Sequence, residues 1–171
     1  MAFLNIITYG HPTLTQKALP VSEIDDALVS LARDMVDTMH RAPGIGLAAP
    51  QVDISRRLIV IDLSVGERPE DLIMMVNPVI VEKDGRAVME EGCLSVPDVR
   101  DKVVRPANIL VRGLDLNGRE LEVHAEGLLA RVFCHEIDHL DGRLFIDNLS
   151  PLKRQLAVRR LRKLASPSSR L

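Results

Sequence analysis

Residues 126–140 read EGLLARVFCHEIDHL, and this stretch organises the rest of the sequence. We predict a helix here that stops at Gly142, because glycine readily adopts the left-handed backbone that closes a helix. His135 and His139 are four residues apart, so both imidazoles project from one face and can bind one metal, with Glu136 beside it. Chance alone would place such a pattern in a chain of this composition about once in a hundred. The stretch therefore indicates a metal-binding helix.

A catalytic metal site usually has a third protein ligand and one open position. Two protease patterns do not supply that ligand, because no glutamate follows Glu136 and Phe145 stands where the extended pattern has a third histidine. The remaining candidates lie upstream: Cys93, His11, His40, His124 and several carboxylates. Cys93 stands out, because residues 91–97, EGCLSVP, look more like a turn than a core strand. A thiolate there would complete a Cys/His/His site.

The second cysteine and the other histidines are expected in structural roles. Cys134 points about 100° around the helix from His135, so it should not share the metal, and we expect it to be a small buried side chain. For His11, His40 and His124 we favour structural or surface positions.

The composition suits one domain with an aliphatic core. The chain has 171 residues, 46% of them apolar, with three Phe, one Tyr and no Trp. No apolar run approaches about 20 residues, the length of a transmembrane helix, which excludes a transmembrane protein. The first residues lack the basic flank and cleavage site of a secretory signal. We therefore expect a cytoplasmic protein with reduced cysteines and no membrane partner.

Periodicity elsewhere predicts a sheet and a second helix. Residues 23–40 should form an amphipathic helix capped by Ser22 and packed against the sheet. The predicted strands cover residues 57–63, 72–82, 108–115 and 120–124, and Asn117-Gly118 should form the hairpin turn between the last two. The pattern indicates a small single domain of the α+β class.

A third helix is predicted to open at Ser150-Pro151, where serine caps and proline occupies the first helical position. Its apolar stripe should comprise four leucines: Leu152, Leu156, Leu161 and Leu164. Residues 149–171 also contain seven basic and no acidic residues, which leaves 15 basic against 24 acidic residues in the rest of the chain. Such asymmetry is typical of a segment that meets a polyanion, although a solvated helix with ordinary surface charge is equally compatible.

Three segments together carry a family resemblance. Residues 44–51 read GIGLAAPQ, which is too glycine-rich for a helix start and too apolar for a solvent loop. With EGCLS at 91–95 and HEIDH at 135–139, the sequence resembles the bacterial peptide deformylases, whose signature blocks are GxGxAAxQ, EGCxS and HExxH. The similarity continues through residues 76–78, 105–106, 127–130 and 144–147, and so covers nearly the whole chain.

The resemblance implies a role for each signature residue. Cys93, His135 and His139 would be the metal ligands, and Glu136 the catalytic acid and base. Gln51 and the backbone N–H of Leu94 would form an oxyanion site. Cys134 departs from the family, many of whose members have glutamine there. The resemblance also implies mixed or antiparallel sheets around the metal helix. Residues 1–148 would form the catalytic domain, with the basic helix and tail, 149–171, as part of the same unit.

The implied activity is removal of the formyl group from the N-formylmethionine of nascent peptides. Two other functions stay open: a metallopeptidase or other HExxH amidase, and a non-catalytic module with a structural metal. For the peptide we expect a methionine pocket of Ile45, Leu128 and Val132, backbone hydrogen bonds from Gly46, and a distal contact with Arg100.

The resemblance also bears on cofactor and partners. Ferrous iron is the common metal of the family, with nickel, cobalt or zinc as substitutes, and thiolate and imidazole ligands do not decide among them. The C-terminal helix of some members docks on the ribosome. We therefore expect phosphate contacts with ribosomal RNA by four residues, Arg159, Arg160, Arg162 and Lys163. We expect the protein to be a monomer.

Overall fold

The computed structural model describes residues 2–165 and confirms the predicted α+β class. It has three α-helices: α1 (Asp26–Arg41), α2 (Gly127–Leu140) and α3 (Pro151–Ala165). It has seven strands: β1 (Gly46–Ala48), β2 (Leu58–Ile61), β3 (Ile73–Asp84), β4 (Ala87–Cys93), β5 (Val96–Arg105), β6 (Asn108–Leu114) and β7 (Glu120–Glu126). Arg170 of the predicted basic tail lies outside the described residues.

Five strands form one antiparallel sheet in the order β1-β2-β3-β6-β7, while β4 and β5 form a separate two-stranded sheet. The predicted hairpin between β6 and β7 is confirmed. Asp115 accepts hydrogen bonds from the backbone N–H groups of Asn117 and Arg119, and Gly118 adopts a φ of +76°. That left-handed conformation explains why glycine follows asparagine here.

The five-stranded sheet is covered on both faces, and β2 shows this most clearly. All four of its residues are fully buried. Leu58 and Val60 pack in the cluster that contains α1, whereas Ile59 and Ile61 pack in the cluster that contains α2. Alternate side chains of a strand point to opposite faces, so a strand with no polar residue needs cover on both sides. This arrangement places α2 inside the molecule.

The third helix is anchored differently from the prediction. Leu161 is buried, but the rest of the contact face consists of Ala157 and Val158. Leu152 and Leu156, predicted to belong to the packed stripe, are 66% and 54% exposed. The buried positions lie at i, i+1 and i+4 along α3, and they pack with β5 and the short 3-10 helix Phe145–Asn148. Leu164 is 40% exposed as well, so the predicted leucine stripe was wrong at every position except Leu161.

Two further local predictions need correction. α1 begins at Asp26, and its cap is Asp25, whose carboxylate accepts a hydrogen bond from the backbone N–H of Leu28, rather than Ser22. Residues 91–93, expected in a turn, are the end of β4, and the turn itself comprises Leu94 and Ser95. The opening of α3 at Pro151 is confirmed, with Ser150 Oγ accepting from the N–H of Lys153. Among the described residues no helix is both long enough and apolar enough to cross a bilayer.

Candidate metal centre

Helix α2 brings two imidazoles together in the interior. His135 and His139 lie one turn apart, their ring centroids are 5.1 Å apart, and both side chains are largely buried. Four-residue spacing on a helix produces this geometry directly. The helix is held between the sheet and the β4–β5 hairpin, so the two rings face the end of β4.

Cys93, the last residue of β4, completes the group. Its Sγ lies 3.3 Å from His139 Nε2, and one ligand atom from each of Cys93, His135 and His139 lies within 4.8 Å of the others. Ligand atoms of a tetrahedral zinc-type site are about 3.3 to 3.6 Å apart, given metal–ligand bonds of about 2.0 to 2.3 Å. The thiol and imidazole donors therefore fit a single divalent transition metal.

Hydrogen bonds and burial set the protonation of the two imidazoles. Glu91 Oε1 lies 3.0 Å from His135 Nδ1, which leaves Nε2 of that ring for a metal. Burial lowers the pKa of His135, but hydrogen bonds to Cys93 and Glu91 outweigh burial and raise it well above the usual value, so this ring must release a proton when it binds a cation. Burial and the charges of His135 and Arg105 hold the pKa of His139 well below its usual value. His139 is therefore in the neutral form that can bind a cation.

Glu91 is the centre of a buried ion network behind the ligands. Arg105 donates from Nε and Nη2 to the two carboxylate oxygens at 2.9 and 3.0 Å, and Arg131 Nη1 donates to the same group. Arg105 also donates to Asp138 at 2.6 Å. Burial alone would raise the pKa of Glu91, but hydrogen bonds from His135 and Arg105 lower it to about 2. The carboxylate therefore stays ionised and fixes the ring of His135.

Glu136 lies on the cleft side of α2, against β1. Its side chain is buried, and Oε2 has no hydrogen-bond partner within residues 2–165. Burial raises the pKa of Glu136 to about 7, the range in which a carboxyl can both accept and donate a proton at neutral pH. A Cβ at Gly46 would lie 2.6 Å from Glu136 Oε1. Glycine at position 46 thus allows β1 to approach this carboxyl.

Gln51 is held in one orientation at the same site. It lies on the short 3-10 helix Ala49–Val52, and its Oε1 accepts a hydrogen bond from the backbone N–H of Ala48 at 3.0 Å. Its Nε2 donates to Ser95 Oγ at 3.2 Å and lies 3.6 Å from Cys93 Sγ. The amide nitrogen therefore lies beside Cys93, one of the candidate ligands, where it can stabilise a negative oxygen.

A cleft of about 370 Å³ opens over these groups. Cys93, His135, Glu136 and Gln51 line it, and His139 lies behind them. The structure also brings the other predicted site residues to this cleft: Ile45, Gly46, Leu94, Arg100, Leu128 and Val132. Leu128 is 43% exposed at the rim, whereas Val132 is buried. The cleft thus combines polar groups at its floor with aliphatic walls.

The remaining histidines and Cys134 lie away from the metal group. His11 caps the 3-10 helix Pro12–Thr15, His40 pairs with Asp62 at 2.7 Å, and His124 is exposed on β7. Cys134 is buried in the sheet-side core, and burial raises the pKa of its thiol. Both cysteines are free.

Sequence reasoning assigned no role to Glu91, Arg105 or Arg131. Glu91 stands directly before the glycine of EGCLS, and Arg105 precedes Pro106, so both were quoted only as parts of the resemblance. The sequence did contain one signal, because Arg131 is a charged residue in an otherwise apolar turn of α2. Its side chain is only 5% exposed and donates to the backbone carbonyls of Ala87 and Val103.

The chain is similar to known proteins over almost its full length. Residues 3–155 match the family described as polypeptide deformylase. A peptide deformylase of Acidobacterium capsulatum is 52% identical over 159 residues, covering 93% of this chain and 94% of that protein. One of Nitrosococcus oceani is 47% identical, covering 100% and 99%.

Solved structures have the same fold. The crystal structure of a peptide deformylase from Legionella pneumophila superposes with a TM-score of 0.92 at 45% identity and covers 99% of both chains. A family match over most of the chain and sequence identity near one half lead to one conclusion. The chain belongs to the polypeptide deformylase family.

Proposed function

We propose that this chain is a metal-dependent hydrolase that removes the N-formyl group from the N-formylmethionine of nascent polypeptides and releases formate. The convergence of Cys93, His135 and His139 at a cleft that also holds Glu136 carries the proposal. Family membership supplies the reaction, and the donor set supports metal-assisted amide hydrolysis.

Cys93, His135 and His139 would hold the cation, and we propose Fe²⁺ as the native metal, with Zn²⁺, Ni²⁺ or Co²⁺ as substitutes. A divalent cation in such a site supplies Lewis-acid chemistry, because it polarises a carbonyl oxygen and lowers the pKa of water from 15.7 toward about 7. Glu91 keeps the Nε2 of His135 directed at the same point through its hydrogen bond to Nδ1.

Glu136 moves the protons. It accepts one proton from the attacking water as the new C–O bond forms at the formyl carbon, and it then donates that proton to the departing nitrogen as the C–N bond breaks. Formate and a free amine result, so one water is consumed for each formyl group. The unpaired Oε2 and the pKa of about 7 suit both directions of transfer.

Gln51 Nε2 and the backbone N–H of Leu94 would donate to the oxygen that becomes negative in the transition state. Each such donor contributes about 3 kcal/mol in comparable sites. Hydrogen bonds to Ala48 and Ser95 orient the Gln51 amide before substrate arrives, so its orientation costs little when the reaction occurs.

The cleft would hold the peptide beyond the formyl group. Ile45, Leu128 and Val132 would contact the methionine side chain, and Gly46 would supply backbone hydrogen bonds. Arg100, at the outer end, would contact the peptide beyond methionine. An acetyl group would need space for its methyl beside the metal ligands, and we expect the enzyme to reject it for that reason.

Formate release after anaerobic purification and metal analysis tests the proposal. We expect hydrolysis of a formyl-Met tripeptide and at most weak hydrolysis of the matched acetyl-Met peptide or of an internal peptide bond. A preference for either of the latter two would instead identify a metallopeptidase or another amidase, the second candidate left open by HExxH.

We further propose a monomer that contacts ribosomal RNA through the four basic residues of α3 named above. A truncation after Leu149 would remove the basic residues, but it would also remove Ala157, Val158 and Leu161 from a buried cluster and so disturb the fold. Substitution of exposed Arg159 and Arg162 by glutamate leaves that cluster intact. We expect weaker ribosome binding across a salt series and unchanged tripeptide hydrolysis; unchanged ribosome binding would exclude this partner.

A further inference from the structure

A second groove, of about 470 Å³, lies between β5 and α3. One wall is formed by β5 around Asp98 to Asp101, and the other by α3, with Lys153, Leu156 and Arg160. Apart from Arg100, no residue of this groove has a role in the reaction proposed above.

The groove continues from the metal cleft through one residue. Arg100 lines both cavities. It pairs with Gly92 in the β4–β5 register, and a Cβ at Gly92 would lie 2.6 Å from Arg100 Nη1. The guanidinium therefore lies across Gly92, next to Cys93, and an ion pair with Glu90 at 2.8 Å holds it there. A chain that left the cleft past Arg100 would enter the groove.

The lining of the groove combines apolar side chains with three basic and two acidic residues. Leu156 is 54% exposed, whereas Leu161, on the packed face of the same helix, is 3% exposed. Lys153 is paired with Asp101 at 3.1 Å. Arg160 has no carboxylate within ion-pair distance in the part of the chain that the structure describes, and Asp98 provides the other acidic side chain of the groove.

We propose that this groove binds the downstream segment of the formylated polypeptide and favours apolar and acidic side chains there. The inference rests on the proposed function. An extended peptide presents alternate side chains to opposite sides, so it can place one residue against Leu156 and another near Arg160. A phosphate backbone would gain from Arg160 but not from Leu156, whereas an extended peptide can use both, so a peptide is favoured over RNA in this groove. Arg160 is therefore removed from the four RNA contacts proposed above, which leaves Arg159, Arg162 and Lys163.

Peptide length and sequence test the groove. We compare kcat/KM for a formyl-Met tripeptide with that for two nonapeptides that share its first three residues and continue with alternating Leu and Glu or alternating Leu and Lys. We expect the Leu/Glu nonapeptide to exceed the tripeptide about three- to tenfold, mainly through KM, because remote contacts of this kind bind substrate and transition state alike. The Leu/Lys nonapeptide should lose most of that gain.

Variants on α3 locate the effect. Arg160→Glu and Leu156→Gln change exposed side chains, so neither should disturb folding, and each should abolish the gain of the Leu/Glu nonapeptide while tripeptide hydrolysis stays as in the wild type. Arg33→Glu makes the same charge change on the exposed face of α1, away from β5 and α3. It should leave both substrates unaffected.

The outcomes separate the two proposals. If the wild type hydrolyses neither the tripeptide nor the nonapeptides, the proposed function and the inference both fail. If it hydrolyses the tripeptide but shows equal kcat/KM for every length, the inference alone is overturned. Arg160→Glu that weakens ribosome binding yet leaves nonapeptide kinetics unchanged would also overturn the inference and assign Arg160 to RNA.

Discussion

Glu136 is the residue that we propose as the acid and base of the cleft. Its carboxyl is buried beside Gly46 and does not belong to the ligand group. We expect Glu136→Gln to retain metal and to lose about 10²- to 10⁴-fold in kcat, because the amide can neither accept nor return the proton. Metal analysis and formate release on the same sample measure both effects. Full activity of this variant would refute the acid and base role.

The two cysteines allow a matched test of the metal site. Cys93→Ala should lose bound metal, because two histidines remain where three ligands are needed. Cys134→Ala, one residue before His135, should retain the metal, since that thiol is buried in the sheet-side core and outside the ligand group. Metal stoichiometry after dialysis compares them. Retention of metal by Cys93→Ala to the same degree as by Cys134→Ala would mean that Cys93 is not a ligand.

At the same scale, local spacing explains what the sequence could reveal. His135 and His139 are related by one helical turn, so a pattern of five letters predicts their convergence. Glu91 on β4 contacts His135, and Arg105 on β5 contacts Glu91 and Asp138. Both contacts depend on how the hairpin docks on α2. The spacing of residues along the chain does not predict this docking contact. The amino-acid composition does not show that these charged residues are buried.

At the scale of elements, the sequence predicted those with a regular apolar period and missed the others. β5 reads VPDVRDKVVR, in which Val103 and Arg105 point inward while Val104 is 46% exposed. An inward arginine breaks the alternation of apolar and polar residues by which strands are recognised. β1 has only three residues, which is too short for any period. Most strands of the five-stranded sheet could therefore be predicted from the sequence, whereas the hairpin that carries Cys93 could not.

The end of β2 offers a prediction at this scale. Asp62 is buried directly after the strand and accepts hydrogen bonds from Ser64 Oγ at 2.7 Å and from the backbone N–H groups of Ser64 and Gly66 at 2.9 and 2.8 Å. Its contact with His40 is 2.7 Å. Burial alone would raise the pKa of Asp62, but these hydrogen bonds lower it below its usual 3.8.

Asp62→Asn should therefore destabilise the protein by about 2 kcal/mol at neutral pH, since hydrogen bonds to an ionised acceptor are replaced. The folded pKa is lowered, so the carboxylate stabilises the fold fully above the unfolded pKa near 3.8 and loses this contribution as pH falls through the folded value. The difference in unfolding free energy between wild type and variant should shrink below about pH 4. Denaturant unfolding at pH 7 and pH 3 measures it, and a difference that is constant with pH would contradict the prediction.

At the scale of the whole molecule, α3 connects the basic residues on its surface to the candidate metal centre. Its buried face packs in the cluster that contains Phe145, and the Phe145 ring stacks on His135 with centroids 6.2 Å apart. The helix that carries the basic residues is thus part of the folded unit. This agrees with the expectation that residues 149–171 do not form a domain of their own, which stays a prediction.

Leu161→Ala tests that connection. Leu161 is 3% exposed, and its truncation should cost about 2 to 5 kcal/mol in unfolding free energy through lost burial and the cavity left behind. Leu152→Ala removes the same atoms from a side chain that is 66% exposed on the same helix, and it should cost less than about 0.5 kcal/mol. If the cluster supports His135 through Phe145, Leu161→Ala should also release metal to a chelator faster than Leu152→Ala does. Equal release rates, with the stability difference intact, would show that α3 stabilises the fold without bearing on the metal centre.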